Sequence, residues 1–421
     1  MVKLLIIADD FTGALDTGVQ FAARGAVTRV VTDPGYDFAQ ADAGVLVMVA
    51  ETRHLPPKEA YDVVYRAARN ARQAGIPYIY KKTDSALRGN IGSELTAVMD
   101  AAEADTIAFL PAFPKMGRVT RNGIHYVDGV PVAESVFGKD PFEPVTASAV
   151  AEIIGGQTAA PVVLHRLDEA AAPAAPGIQV YDADTDGDLA RIGGELGAEG
   201  LHLSAGCAGF ATALADFLGL NGPAPRMPQL PPAFFVACGS VNPVTLRQMR
   251  TAEEDGFVHI HLEPVQKLEK SWLESGDCGD KIKTWLEQAA GSRRCILDVN
   301  DPADRDDTEV YARAHGLTTE DLRVRISTQL AGLMKRMLDG GLDATILCTG
   351  GDTLLALMRA VGVAELTPVR ELATGAVLTN FVYKEKTYSI ISKSGGFGEP
   401  QLFCELAALV GAGNHKEDAV C

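Results

Sequence analysis

Two carboxylates stand side by side where the first apolar run of the chain ends, in Ala8-Asp9-Asp10-Phe11-Thr12-Gly13-Ala14. Such a pair could hold a substrate hydroxyl, act as a general base or contact a metal ion. The plainer alternative is that Asp10 or Thr12 only caps the next helix. A second stretch, Lys81-Lys82-Thr83-Asp84-Ser85-Ala86-Leu87-Arg88-Gly89-Asn90, gathers two lysines, an arginine and several hydroxyl or amide groups. Arginine grips a carboxylate through two parallel charge-assisted bonds, and lysine offers a point charge to carboxylate or phosphate. A solvated loop is the competing reading. Further along, Cys348-Thr349-Gly350-Gly351-Asp352-Thr353 and Lys393-Ser394-Gly395-Gly396-Phe397-Gly398-Glu399-Pro400 are glycine turns through which a backbone can approach a phosphate, and Cys238-Gly239-Ser240-Val241-Asn242-Pro243 is a weaker third. Each alone is equally a cap or tight turn. Together they suggest a nucleotide.

These stretches share a position: each follows a strand-length apolar run and precedes a segment of helical period. LLIIA, GVLVMVA, PYIYKKTD and DTIAFLPAF alternate with such segments in the first half, and AFFVACGS, HIHLEP, RCILDVN and DATILCTGG do so in the second, with TGAVLTNF and YSIISKSGG as further strands. The runs are continuously hydrophobic, as in a parallel sheet covered on both faces, so the fold class is α/β. Ligands of such sheets collect at the carboxyl ends of strands, where these turns lie. Between Asn221 and Pro232, five prolines and a glycine fall within twelve residues. No helix or central strand accommodates that composition, which predicts a domain boundary and two α/β domains, residues 1–225 and 226–421.

The 421 residues carry 38 Lys plus Arg against 55 Asp plus Glu, a net charge of −17. Nucleic acid and anionic membrane are therefore not expected partners. Lys81, Lys82, Arg88, Lys115, Arg118 and Arg121 cluster against that trend, as an acidic small molecule would require. No apolar run approaches the roughly 20 residues of a membrane span, and the first residues, MVKLLIIADD, read as a strand rather than a signal peptide. Seven widely spaced cysteines without a CxxC pair fit a reducing cytoplasm. Neither GxxxxGK[ST] nor an early GxGxxG is present, so a P-loop ATPase and a dinucleotide domain are unsupported. Asp182, Asp184, Asp186 and Gly187 begin like a calcium loop, but Gly193 stands where a bidentate Glu belongs. His259 and His261 alternate on a strand with no companion Cys or His at metal spacing, and the sequence assigns them no role.

Taken in order, ADDFTGA, KKTDSALRGNIG, PAFPKMGRVTRNGIHYVDGVPVAESVFGKDP, TGGDT and KSGGFG resemble the motifs of the four-carbon acid sugar kinase family over nearly the whole chain. The resemblance implies a sugar-acid-binding N-terminal domain, a nucleotide-binding C-terminal domain, and ATP-dependent, Mg²⁺-assisted phosphorylation of a terminal hydroxyl on threonate, erythronate or an oxo form. On that reading Asp10 and Asp84 are catalytic, Asp10 being the expected base with Asp9 as its rival. Asp9, Thr12, Lys82, Ser85, Arg88, Gly89 and Asn90 bind the acid, while Ser240, Gly350, Gly351, Asp352, Thr353, Gly395 and Gly396 bind ATP. Arg118, Asn122 and His125 belong either to the site or to a structured surface loop. Metal ligands stay unassigned, and a homodimer is a candidate assembly. Two other classes compete: a metal-dependent phosphoester hydrolase built on Asp9 and Asp10, which leaves the glycine turns unexplained, and a non-catalytic sugar-acid sensor.

Overall fold

The computed structural model describes residues 1–412, apart from 141–142, 170–174, 224 and 304. The chain divides into two units, Met1–Pro225 and Arg226–Cys421. In the first, the apolar runs become strands β1 (Leu4–Ala8), β2 (Thr28–Val31), β3 (Val45–Val49), β4 (Tyr78–Lys82) and β5 (Thr106–Leu110). After them come the short β6 (Arg118–Arg121), β7 (Ile124–Val127) and β8 (Val130–Pro131), then β9 (Val162–His165), β10 (Gly177–Tyr181) and β11 (Leu203–Gly206). Eight of these form a parallel sheet in the order β2-β3-β1-β4-β11-β5-β10-β9. Every residue of β1 (LLIIA) and β3 (VLVMV) is buried, as strands covered on both faces require. Helices α1 (Phe11–Ala22), α2 (Pro57–Gln73) and α3 (Ile91–Ala102) follow β1, β3 and β4. Pro57 opens α2, where its missing N–H costs no helical bond.

The strand order reverses at β1. The chain runs from β1 outward to β2, returns to β3, then crosses to β4 on the other side, with Ala8 in register with Lys82. The two charged turns thus leave neighbouring strands at a topological switch point, where open α/β sheets hold ligands. Strands β6 to β8 form a separate antiparallel meander. Its first turn, Asn122-Gly123, has φ of 51° and 73°, the conformation for which Asn-Gly is preferred in hairpins.

The second unit contains β12 (Phe234–Cys238), β13 (Val258–His261), β14 (Arg294–Asp298), β15 (Thr345–Thr349), β16 (Glu365–Ala373), β17 (Ala376–Tyr383) and β18 (Lys386–Lys393). They are ordered β13-β14-β12-β15-β18-β17-β16, parallel as far as β18 and antiparallel beyond it. The antiparallel meander and β16 itself go beyond the sequence reading. ELTPVRELA hides its strand character behind a proline and three charges, and the ladder shifts register after Pro368 to accommodate them. This unit also has a switch point, between β12 and β15, where Cys238 is in register with Thr349.

Candidate active site

In the first unit the site is a knot of charges around an arginine that the sequence reading did not single out. Arg53, in the loop after β3, donates from Nε to Asp9 Oδ2 at 2.8 Å. One of its terminal nitrogens lies 2.7 Å from Asp9 Oδ2, 2.9 Å from Asp10 Oδ1 and 3.6 Å from Asp84 Oδ1. Arg88 donates to both oxygens of Asp84, at 2.9 and 3.1 Å, and to Asp140 Oδ2 at 3.1 Å, with its guanidinium over the Phe137 ring. Burial opposes the charge on Asp9, but Arg53, Lys82 and Lys81 outweigh it and hold the carboxyl below the usual range. Burial likewise opposes ionisation of Asp84, and Arg88 with Arg53 holds it far below that range.

Asp10 differs from its neighbours. The Gly13 N–H donates to its Oδ1 at 3.0 Å, so it caps α1 while it pairs with Arg53. Among the described residues no donor reaches its Oδ2, and its side chain is a quarter exposed. The Lys82 ammonium is close by: a Cβ at Gly13 would stand 2.4 Å from Asp10 Oδ1 and 2.7 Å from Lys82 Nζ. Lys82 donates to the Thr83 carbonyl at 2.7 Å and has no ion-pair partner among the described residues. Thr12, half-buried, sits in the first turn of α1 beside them.

Other predicted residues support this knot from outside. Asn90 donates from its amide to the Thr52 and Leu55 carbonyls, both at 2.8 Å, and so holds the loop that carries Arg53. Gly89, with φ of +86°, leaves room for Arg53, whose Cγ would lie 3.1 Å from an added Cβ. The Ser85 carbonyl lies 2.9 Å from His125 Nε2, and Thr120 Oγ1 lies 3.0 Å from His125 Nδ1. Burial pushes His125 down to about 4, so a neutral ring braces the Asp84 turn. Lys81 belongs elsewhere: alternation along β4 sends it to the other face, where it meets the buried Glu94 at 2.8 Å. Arg118 bonds the Met116 carbonyl, and Asn122 occupies the exposed hairpin turn.

In the second unit the three glycine turns converge. A Cβ on Gly239 would stand 2.0 Å from Thr353 Oγ1, and one on Gly395 would stand 2.7 Å from Ser240 Oγ, so both contacts depend on glycine. Thr245 and Gln248, on the helix Pro243–Glu254, donate to the carbonyls of Gly395 and of Phe397, Gly398 and Glu399. The helix Gly351–Val361 starts at Gly350 (φ +93°) without a side-chain cap, which leaves its first amides free of one. Asp352 pairs with Arg323 at 2.8 Å, and Gly396 meets only Asn242, at 3.6 Å from an added Cβ. The cation here is Lys393, buried at the end of β18, donating to Thr245 Oγ1 and to the carbonyls of Ser394 and Gly395. Burial lowers it to about 8.

A family model described as a sugar-binding N-terminal domain matches residues 4–214, and one described as a nucleotide-binding C-terminal domain matches 235–403. The chain is 31% identical to the D-threonate kinase of Salmonella typhimurium, over 96% of this chain and 97% of the relative. The chain belongs to the four-carbon acid sugar kinase family. The D-erythronate kinase of Heliobacterium modesticaldum is 30% identical (96% of each chain), and the 3-oxo-tetronate kinase of Methylobacterium radiotolerans 28% (94% of this chain, 96% of the relative). A solved structure from Salmonella typhimurium LT2 shares the fold at a TM-score of 0.79 and 21% identity, covering 96% of this chain and 99% of its own.

For a kinase of this family, Arg53 is the residue that sequence reasoning missed. It sits in ETRHLPP, outside the motifs quoted from the sequence, and it reaches Asp9 across 44 positions. The available signal was its place: a lone arginine just past a fully buried strand of an open α/β sheet.

Proposed function

We propose that the chain transfers the terminal phosphoryl group of ATP to the terminal hydroxyl of a four-carbon acid of the threonate, erythronate or oxo-tetronate kind. The observation that carries this reading is the unequal treatment of three carboxylates. Asp84 has both oxygens on Arg88 and Asp9 is held through Oδ2 by Arg53 with its other oxygen buried, whereas Asp10 is pinned through Oδ1 on a side chain that is a quarter exposed, near an ammonium that lacks an ion partner among the described residues. Asp10 Oδ2 takes the hydroxyl proton as the new O–P bond forms and the bond to ADP breaks. Lys82 faces the carboxylate of the acid or the transferring group, and Asp84 keeps Arg53 and Arg88 in place. The names of the relatives supply the acid's class.

The nucleotide belongs to the second unit. Its phosphates fit the cradle formed by Gly239, Ser240, Gly350 to Thr353 and Gly395-Gly396, whose close backbone approach and uncapped helix start suit an anion. Mg²⁺, when bound with the nucleotide, would supply charge neutralisation during transfer. The six described cysteines are free and no described helix is long and apolar enough to cross a membrane, in keeping with a cytoplasmic enzyme.

The test is to mix the protein with Mg-ATP and a panel of four-carbon acids and measure ADP. Release that depends on one acid supports the reading. Hydrolysis of phosphoesters without ATP indicates the hydrolase, and acid binding with no turnover indicates a sensor.

A further inference from the structure

His259 and His261 gain in three dimensions the companion that their sequence neighbourhood lacks. They lie two apart on β13 and so share a face, and β14 pairs alongside with His261 in register with Asp298. One donor atom from each of the three side chains lies within 4.8 Å of the other two. His259 Nε2 is 3.1 Å and His261 Nδ1 3.7 Å from Asp298 Oδ2, and the imidazole centroids are 4.0 Å apart. We propose that His259, His261 and Asp298 form a binding site for a transition-metal ion of the zinc class.

Zinc–ligand bonds of 2.0–2.2 Å in a tetrahedron set neighbouring donors about 3.4 Å apart, between the two observed separations. Two imidazoles and one carboxylate suit zinc rather than Mg²⁺, which prefers an all-oxygen shell. The surroundings have the second layer that metal sites use. His259 presents its other nitrogen to Glu253 at 3.4 Å, a carboxylate behind a ligating histidine, while Asp298 Oδ1 accepts from the Asn300 backbone N–H and side-chain amide at 3.0 and 2.7 Å. Asp298 and His259 are 1% and 8% exposed at the side chain and His261 is 28% exposed, so the entry path runs past His261. His261 Nδ1 donates to the Asn300 carbonyl at 3.0 Å, a hydrogen bond that a zinc ion bound at this nitrogen would replace. The site adjoins the phosphate cradle, because the Asn300 amide also donates to the Ser240 carbonyl at 3.1 Å.

Titration calorimetry of the chelator-treated full chain with ZnCl₂, in the absence of nucleotide, tests the assignment. One site of micromolar or tighter affinity is expected, weakened at least about 10-fold in both His259→Gln and His261→Gln. Asp298→Asn serves as a third variant, and the thermal midpoint of each metal-free protein checks folding; His261, the most exposed of the three, is the substitution that leaves the fold least disturbed. Absence of a site at millimolar zinc, or a loss smaller than 10-fold in His261→Gln with an intact fold, overturns the proposal.

Discussion

The candidate sites of the two units are built from opposite materials. The first surrounds its turns with ionised side chains: Asp9, Asp10 and Asp84 against Arg53, Arg88 and Lys82. The second uses glycine backbone, a helix start and the buried ammonium of Lys393. On the proposed function, the difference follows from what each must recognise. A hydroxyl that loses a proton, on a carbon next to other hydroxyls, requires directional side chains held rigid, which ion pairs to arginine supply. A triphosphate carries its own charge and requires amides at close range, which side chains would obstruct.

The largest effect is expected at Asp10. Asp10→Asn keeps the cap to Gly13 and removes the charge, so turnover should fall by about two to four orders of magnitude with the thermal midpoint nearly unchanged. Near-normal turnover would move the base to Asp9 or remove the turn from the chemistry.

Next comes the glycine cradle. Gly395→Val drives a side chain into Ser240, and overpacking of about 1–3 kcal/mol should raise the apparent constant for ATP by about 10-fold or more while leaving that for the acid near its original value. Equal changes in both constants would erase the contrast between the units.

A smaller effect separates their pH responses. Lys393 loses its proton near pH 8, whereas Arg53 and Arg88 are raised by their carboxylates after burial is offset. ATP affinity should therefore weaken by about fivefold between pH 7 and 9.5, the scale of one partly screened charge, while acid affinity holds. Apparent constants for both substrates across that range, in the native chain and in Lys393→Met, measure it; an unaltered pH step in the variant would exonerate Lys393.

The smallest is a stability signature of His125. Its folded value near 4 lies below its ordinary 6.5, so the unfolded chain binds more protons in between. The stabilisation is complete above pH 6.5 and is lost as pH falls toward 4. His125→Gln should flatten that slope, by a few degrees of thermal midpoint. A slope identical to that of the native protein would show that other groups govern the acid limb.

By itself the sequence determined whatever is written in adjacent residues. Continuous apolar runs and helical periods give the parallel α/β class, and the prolines around Asn221–Pro232 interrupt it where no element can continue. Turn chemistry at strand ends picked out Asp9, Asp10, Asp84, Arg88 and the glycine loops, because ligand turns combine local signals of capping, charge and backbone freedom. Only the tertiary structure decided how charges separated along the chain pair. It brought Arg53 to Asp9 and Asp10, paired Lys81 with Glu94, and placed Asp298 beside His259 and His261. Strand order and register set those partnerships, and they depend on packing summed over the whole sheet rather than on any one segment.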